Sequence, residues 1–249
     1  MSPGLSDRAD PTRGQTSHTS GHALRARAPG KLMLAGEYSV LRVGGLAVAV
    51  AVPYGVEIVA VPASRWEIHR DDAASWREGD PSVPEELRFV HAALERSLEV
   101  FPSLVPRRLS ARSLSDVGQG TTKPGVGGSA SATVATCALL NDATGDPAEK
   151  LDDTALLARV IAAHRAGQDG QGSGYDVATI LRGGLVAFRR QRAVPPRAET
   201  HLWPKDFRIL AGYSGRSAST TRQLQKVRRL AETHAEGLAR ELEILGAPV

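Results

Sequence analysis

A glycine-rich segment in the middle of the chain has the residue types of a phosphate-binding loop. Its glycines, and the polar and small residues around them, are Lys123, Gly125, Gly127, Gly128, Ser129, Ala130 and Ser131. Closely spaced glycines permit positive φ angles and leave main-chain amides accessible to a ligand. The small apolar residues that follow predict a helix, whose N-terminus adds unpaired N–H groups and a positive dipole end. We therefore predict that residues 125–132 cradle a phosphate and that the hydroxyl of Ser129 can bind Mg²⁺.

Two well-known nucleotide motifs do not account for this loop. The Walker A motif requires Gly-Lys-Ser/Thr after its glycines, and the sequence contains no such tripeptide. Residues 125–130 fit the spacing of the dinucleotide-binding fingerprint, but the acidic residue that should end a second strand would be Asp142 or Asp146, which lie in a turn. A Rossmann fold is therefore a weak interpretation. A glycine-rich turn with a purely structural role is the other alternative.

Lysine is rare in this chain, which makes the position of Lys31 informative. Of the 31 basic residues, the lysines are Lys31, Lys123, Lys150, Lys205 and Lys226. Two of them, Lys31 and Lys123, lie in the two glycine-bearing motifs of the chain. Lys31 could be an exposed turn residue, but the preceding Pro-Gly and the apolar residues after it would fix its backbone.

The composition is that of an ordinary globular protein, and it excludes several classes. The 249 residues, 41% of them hydrophobic, can form one large domain or two smaller ones. The net charge is only +4 and the basic residues are scattered, which argues against a nucleic-acid partner. The single cysteine, Cys137, excludes a disulfide within the chain. Residues 1–22 are polar and predict a disordered tail without a signal peptide, and no stretch could span a membrane, so we expect a cytoplasmic protein without a membrane partner.

Hydrophobic spacing predicts the elements that position these residues. We predict strands at 23–28, 46–52, 56–61, 109–114, 185–188 and 207–213, with residues 53–55 separating the second and third. Helices are predicted from Pro84, after the glycine loop, from a cap at Asp153 or Thr154, after Asp176, and over 221–245, with a linker at 191–200. His164 shares a helix face with Leu157, Val160 and Ile161, which favours a buried core histidine over a ligand.

Several separated motifs, taken together, resemble those of the GHMP small-molecule kinases. The first is residues 29–38 and the second is the glycine-rich loop at 123–132. Segments 163–168, 172–178 and 212–220 are most similar to the phosphomevalonate kinases within that group. The resemblance extends over about residues 23–230.

The resemblance implies an α+β fold of two parts. Residues 23–190 would form an N-terminal, ATP-binding domain like domain 2 of ribosomal protein S5, and residues 201–249 the start of an incomplete ferredoxin-like C-terminal domain. The implied reaction transfers the γ-phosphoryl group of ATP to 5-phosphomevalonate, giving 5-diphosphomevalonate. The implied cofactors are ATP and Mg²⁺, and the partners are a small-molecule substrate and a possible second copy of the chain in a homodimer.

The resemblance also implies a role for individual residues. Lys31 corresponds to the active-site lysine, Asp176 to the acidic residue near the acceptor oxygen, and Ser129 to the serine on the magnesium side. The ATP phosphates would contact Lys123 and the loop at 125–131. The residues implied to bind the acceptor are Glu37, Tyr38, Ser173, Arg216, Ser217 and Ser219. For Asp176, a helix-dipole role at a helix N-terminus is the alternative, and for Arg216 we predict a bidentate grip on an acceptor phosphate.

Departures from the family pattern leave other functions open. The loop has Val126 and Gly128 where the family usually has Leu and Ser, and the sequence lacks the glycine-rich third motif after its last predicted helix. The resemblance thus implies a kinase with a shortened C-terminal part. A related mevalonate or sugar kinase is one alternative. A non-catalytic binder of a nucleotide or phosphometabolite is the other.

Overall fold

A computed structural model of the chain describes residues 22–71, 74–114, 125–192 and 196–213, together with residues 229, 230, 232–234, 237 and 240. These residues form an α+β fold in which helices pack on one face of a mainly antiparallel sheet. The tail predicted at 1–22 and the helix predicted at 221–245 lie almost entirely outside the described residues. None of the described helices is long and apolar enough to cross a membrane.

The sheet is built around one long strand. The strands are β1 (Leu24–Ala35), β2 (Leu46–Pro62), β3 (Glu67–Arg70), β4 (Ala74–Arg77), β5 (Arg107–Ser113), β6 (Leu185–Arg189) and β7 (Arg197–His201). Their order is β4-β3-β5-β2-β6-β7, and β1 pairs with β2. Among the described strands, only β3 and β5 pair in parallel. Strand β2 pairs with β6 through its first half and with β5 through its second half, so it connects both ends of the sheet.

The prediction of two strands at 46–52 and 56–61 is wrong, because the structure has one continuous strand with a bulge. The pairing shifts from Ala28 opposite Val56 to Gly30 opposite Val52, which leaves residues 53–55 as the bulge. A proline and a glycine normally interrupt a strand, but both are tolerated at a bulge. A Cβ on Gly55 would lie 1.8 Å from the carbonyl oxygen of Ala28, so the bulge requires glycine there. Strand β1 likewise continues beyond residue 28 and carries Lys31 within it.

Two predictions in the last third of the described chain are also wrong. Part of the predicted linker at 191–200 belongs to β7, which pairs with β6 at the sheet edge, where exposed polar residues are common. Residues 207–213, predicted as a strand, form no strand, although their apolar residues have high β-propensity. Leu210 is 99% exposed there. Propensity alone does not form a strand without a neighbouring strand to pair with.

In the described part of the chain, four α-helices cover the sheet. They are α1 (Arg88–Leu98), α2 (Gly128–Asp142), α3 (Asp153–Ala166) and α4 (Tyr175–Arg182), with short 3-10 helices at Ser39–Leu41 and Glu85–Leu87. Helix α2 is central, since it contacts β1, β2 and the three other helices. Its small residues allow this close packing, and burial raises the pKa of the Cys137 thiol to about 12, consistent with a packing role. The cap of α3 is Asp152, which accepts hydrogen bonds from the amides of Thr154 and Ala155, and not Asp153 or Thr154 as predicted.

The opposite face of the sheet holds a buried carboxylate among arginines. Glu57 is 1% exposed, and its oxygens lie 3.0, 2.7 and 2.8 Å from guanidinium nitrogens of Arg25, Arg27 and Arg112, which are 53–60% exposed. Burial alone would raise the pKa of Glu57, but hydrogen bonds and charge from Arg27 and Arg25 outweigh it and lower the pKa to about 2.

We expect Glu57→Gln to destabilise the fold by about 2 kcal/mol at pH 7, because three arginines lose their anion while staying partly solvated. Since the folded pKa lies below the ordinary value of 4.5, the stabilisation is complete above pH 4.5 and is lost as the pH falls towards 2. The free energy of unfolding, measured with urea from pH 7 to 2.5, should therefore fall more steeply with pH for the wild type than for Glu57→Gln. Glu199→Gln, at an exposed position, is the control. If the free energy of unfolding falls equally with pH in the wild type and in Glu57→Gln, the expectation is contradicted.

Candidate active site

Lys31 is held in place by the glycine-rich loop. Its amide donates to the carbonyl oxygen of Val126 at 2.8 Å, which joins β1 to the loop before α2. The approach is close enough to require glycine at position 30, because a Cβ there would lie 2.0 Å from Tyr54 O and 2.6 Å from Val126 O. The Pro-Gly-Lys sequence thus fixes the lysine backbone against the loop, as the sequence predicts for a structured lysine.

The glycine-rich loop ends at a helix N-terminus with open amides. Gly127 is the N-cap of α2 in the left-handed conformation, with φ 84° and ψ 33°. The amide of Ser131 donates to Gly127 O, which is the first bond of the helix. The amides of Gly128, Ser129 and Ala130 therefore have no acceptor within α2, and they face the space in front of the helix. This arrangement suits a phosphate group, as the glycine pattern predicts.

The two serines of the loop differ in their surroundings. Ser131 is fully buried, and its hydroxyl donates to Pro29 O at 2.7 Å, so this side chain ties α2 to β1. Ser129 is half-buried in the first turn of α2, and its predicted role towards Mg²⁺ stays a prediction. Magnesium bound to a nucleotide needs few protein ligands, because phosphates and water supply the rest. No group of three or more His, Cys, Asp or Glu forms a metal site among the described residues.

Tyr175 positions the Lys31 ammonium, a role that the sequence does not indicate. Lys31 Nζ donates to the Tyr175 hydroxyl at 3.1 Å and lies 5.3 Å from the centre of its ring. Burial raises the pKa of Tyr175 despite the opposing charge of Lys31, and the charges of Asp176 and Glu37 raise it further. The phenol therefore stays neutral at pH 7 and can accept the lysine hydrogen bond. Because Tyr175 is the first residue of α4, the lysine bridges the N-termini of α2 and α4.

Asp176 lies beside Tyr175 and is oriented by two contacts. One carboxylate oxygen accepts from the amide of Val177 at 2.9 Å, and the other lies 3.6 Å from His164 Nδ1. The side chain is 20% exposed, so it can still reach a ligand. Asp176 thus lies at a helix N-terminus, the position that the helix-dipole alternative requires, and its charge also raises the pKa of Tyr175, the residue that Lys31 contacts.

His164 is buried, as the sequence predicts, and it lies between the core and Asp176. Its ring stacks on Phe89 at a centroid distance of 5.2 Å while Nδ1 faces Asp176. Its Nε2 atom is buried without a hydrogen-bond partner in the described part of the chain. The helical spacing identified the buried face correctly, whereas the contact with Asp176 depends on the fold of residues 172–176.

The other predicted site residues lie partly inside and partly outside the described part of the chain. Glu37 and Tyr38 follow β1, and Tyr38 has a left-handed backbone with φ 62°. The charge of Glu37 contributes to the raised pKa of Tyr175. Ser173 is buried, and its hydroxyl accepts from the Tyr175 amide at 3.4 Å. Residues Lys123, Arg216, Ser217 and Ser219 lie outside the described residues, so their roles stay predictions.

We expect Gly127→Val to weaken ATP binding at least tenfold. The new Cβ would lie 3.1 Å from both Cγ and Cε of Lys31, and a β-branched residue at φ 84° is strained, so both the loop and the lysine must move. Titration calorimetry with a non-hydrolysable ATP analogue measures the loss. Gly145→Val is the matched control, since Gly145 has φ 76° and no atoms near its Cβ position. An unchanged affinity in folded Gly127→Val would contradict the assignment of the loop to the phosphates.

Comparison with known proteins supports the resemblance seen in the motifs. Residues 111–184 match the family described as GHMP kinases N terminal domain. Mevalonate kinase from Aeropyrum pernix is 29% identical over 172 residues, which are 68% of this chain and 51% of that protein. The chain therefore spans about half the length of the curated relative that it matches.

Solved structures share the fold. The Lin0012 protein from Listeria innocua has a TM-score of 0.74 at 22% identity, over 90% of this chain and 70% of that one. Phosphomevalonate kinase from Streptococcus pneumoniae, in complex with phosphomevalonate and AMPPNP, has a TM-score of 0.56 at 21% identity, over 68% of this chain and 50% of that one. Together with the family match, these findings confirm the predicted α+β fold and the similarity to GHMP kinases, including phosphomevalonate kinase.

Proposed function

We propose that this chain, whose residues 111–184 match the GHMP kinase N-terminal domain, is an ATP-dependent kinase of a small molecule. The observation that carries the proposal is the position of Lys31, which connects the open amides of α2 to the Asp176 end of α4. A phosphate donor and an acceptor could both be held there, one on each side of a single cation. A purely structural glycine turn would not need that lysine.

The residues at this centre match what phosphoryl transfer requires. Transfer depends on positioning and on charge stabilisation more than on covalent chemistry. In the proposed reaction an acceptor oxygen bonds to the γ-phosphorus of ATP, the bond from that phosphorus to the β–γ bridging oxygen breaks, and ADP leaves. The amides of Gly128, Ser129 and Ala130 bind the phosphates, and Lys31 compensates the charge that moves during transfer. When bound, Mg²⁺ would offset phosphate charge from the Ser129 side.

We propose 5-phosphomevalonate as the acceptor and ADP and 5-diphosphomevalonate as the products. The motif similarity at 163–178 and the shared fold with an enzyme solved with phosphomevalonate and AMPPNP support this choice. Because a phosphate monoester is largely ionised at pH 7, its oxygen needs orientation more than deprotonation. Asp176, held between Val177 and His164, would provide that orientation.

Mevalonate is the second candidate acceptor, and a specific observation favours it. The curated relative with 29% identity is a mevalonate kinase. The acceptor oxygen of mevalonate is a hydroxyl, so Asp176 would then have to accept its proton. The two acceptors therefore make different demands on the same carboxylate.

The experiment that tests the function is a panel of acceptors. Purified protein with Mg²⁺ and ATP is assayed for ADP release with 5-phosphomevalonate, mevalonate, homoserine and galactose. We expect turnover with 5-phosphomevalonate and little with the others. Turnover with mevalonate alone would make the second candidate correct. ATP binding without turnover on any acceptor would contradict a kinase function and favour the non-catalytic binder.

A further inference from the structure

A cavity of about 260 Å³ lies next to the loop that precedes α4, the helix that carries Asp176. Its charged and polar wall is formed by Arg165, Arg190, Arg192, Ser173 and Gln191, with Ile161 on its apolar side. Among the described residues that line it, none carries a carboxylate. We call it the arginine cavity. Its volume is slightly below the range of about 300–1,000 Å³ typical of ligand sites, which suits one end of a small metabolite.

The arginines of this cavity are anchored but not neutralised by the hydrogen bonds that hold them. Arg165 donates to the carbonyl oxygens of Gly172 and Ser173 at 3.1 and 3.3 Å, and Arg190 donates to Leu41 O. These acceptors are neutral, so they orient the guanidinium groups without cancelling their charge. Burial, and after it the charge of Arg190, lowers the pKa of Arg165. Arginine nevertheless remains protonated at neutral pH, and the two cations repel each other.

The cavity is close to Asp176, the carboxylate that would orient the acceptor. Ser173 is three residues before Asp176, a distance that the chain spans in at most about 10 Å. Arg165 directly follows His164, whose Nδ1 lies 3.6 Å from Asp176. A short acceptor with its reacting oxygen at Asp176 could therefore reach the cavity with its other end.

We propose that the arginine cavity is an anion site that holds the carboxylate at the non-reacting end of the acceptor. The inference rests on the proposed function, because it requires an acceptor bound at Asp176. Guanidinium groups bind carboxylates through paired, charge-assisted hydrogen bonds, and the repulsion between Arg165 and Arg190 falls when an anion lies between them. Mevalonate and 5-phosphomevalonate both have a carboxylate at that end. The cavity thus selects an acidic acceptor over a neutral sugar.

The test measures acceptor binding by titration calorimetry without nucleotide. Arg192→Gln removes a charge from an exposed side chain, and Arg165→Lys keeps the charge but loses the planar pair of donors. We expect each to weaken binding of 5-phosphomevalonate or mevalonate about tenfold or more, with affinity for an ATP analogue changed less than twofold. Arg197→Gln is the control, because Arg197 lies near the cavity, does not line it and pairs with Glu199. Mevalonolactone, which has no carboxylate, should bind weakly and equally to all variants.

The outcomes separate the cavity from the function. If the acceptor binds and both cavity variants bind it as the wild type does while remaining folded, the assignment of the cavity is overturned and the kinase function stands. If neither acceptor binds, but inorganic phosphate binds to the wild type and not to Arg192→Gln, the proposed function fails and the cavity belongs to a free anion. If Arg197→Gln weakens acceptor binding as much as the cavity variants do, the weakening arises from general electrostatics, and the proposal is overturned.

Discussion

Lys31→Met is expected to lower kcat for phosphoryl transfer by about 10²–10³-fold, the loss typical when one group that stabilises developing charge is removed. Methionine preserves the length of the side chain that lies over Gly127, so the contact with the loop is retained while the charge is removed. Since the amides of Gly128, Ser129 and Ala130 remain, ATP affinity should fall much less than kcat. Steady-state kinetics with 5-phosphomevalonate, together with calorimetry of an ATP analogue, measures both quantities.

Two further variants make the Lys31 result specific. Lys205→Met removes a lysine in an exposed segment and should leave kcat unchanged. Tyr175→Phe keeps the ring under the ammonium but removes the hydroxyl 3.1 Å from Nζ, so we expect a smaller fall in kcat than for Lys31→Met. If Lys31→Met retains full activity, or loses ATP binding and kcat in equal proportion, Lys31 does not act on the transferred group.

The elements that depend on neighbours in sequence could be predicted well. Helix α2 follows from glycines that break the preceding structure and from small residues that suit a helix packed on all sides. The buried face of α3 follows from apolar spacing, which also placed His164 correctly in the core. The predicted N-terminal cap of α3 differs from the observed one by one or two residues, because Asp152, Asp153 and Thr154 are all residue types that cap helices.

The elements that depend on partners distant in sequence could not be predicted in the same way. Residues 53–55 look like a strand break, and only the pairing of β2 with β1 on one side and with β5 and β6 on the other makes them a bulge. Strand β7 is polar and exists because β6 offers it an edge. Residues 207–213 have the opposite combination, strong β-propensity without a strand partner in the described part of the chain.

In the candidate site, too, some residues have local sequence signals and others depend on contacts with distant parts of the chain. Local sequence patterns indicate Lys31, the glycine loop and Asp176, because all three lie in short glycine-bearing motifs. Tyr175 contacts a lysine 144 residues away in sequence, and this contact has no local signature. The arginine cavity is likewise formed by α3, the loop before α4 and the end of β6. Side chains that meet only through sheet pairing and helix packing thus complete a site whose centre the motifs indicate.

Asp176→Asn is expected to lower kcat about a hundredfold or more while leaving the affinity for an ATP analogue within about twofold. Asparagine has nearly the same shape and can still accept from the Val177 amide, so the change removes charge and little packing. With 5-phosphomevalonate the loss arises from poorer orientation of an ionised oxygen. With mevalonate the loss should be larger, because the carboxylate would also have to accept a proton, so the ratio of the two losses reports which role Asp176 has.

The contact with His164 provides the sharpest control for Asp176. His164→Asn can keep a donor near Nδ1, whereas His164→Leu cannot, so kcat should be largely retained in the first and lowered in the second if His164 orients the carboxylate. In the Asp176→Asn background, the difference between the two His164 variants should disappear, since they act through the same carboxylate. Asp153→Asn removes another first-turn carboxylate, 80% exposed and paired with Arg182, and measures what a first-turn charge and an exposed ion pair contribute away from the site. If Asp176→Asn loses stability like Asp153→Asn and keeps its activity, Asp176 serves only the N-terminus of α4.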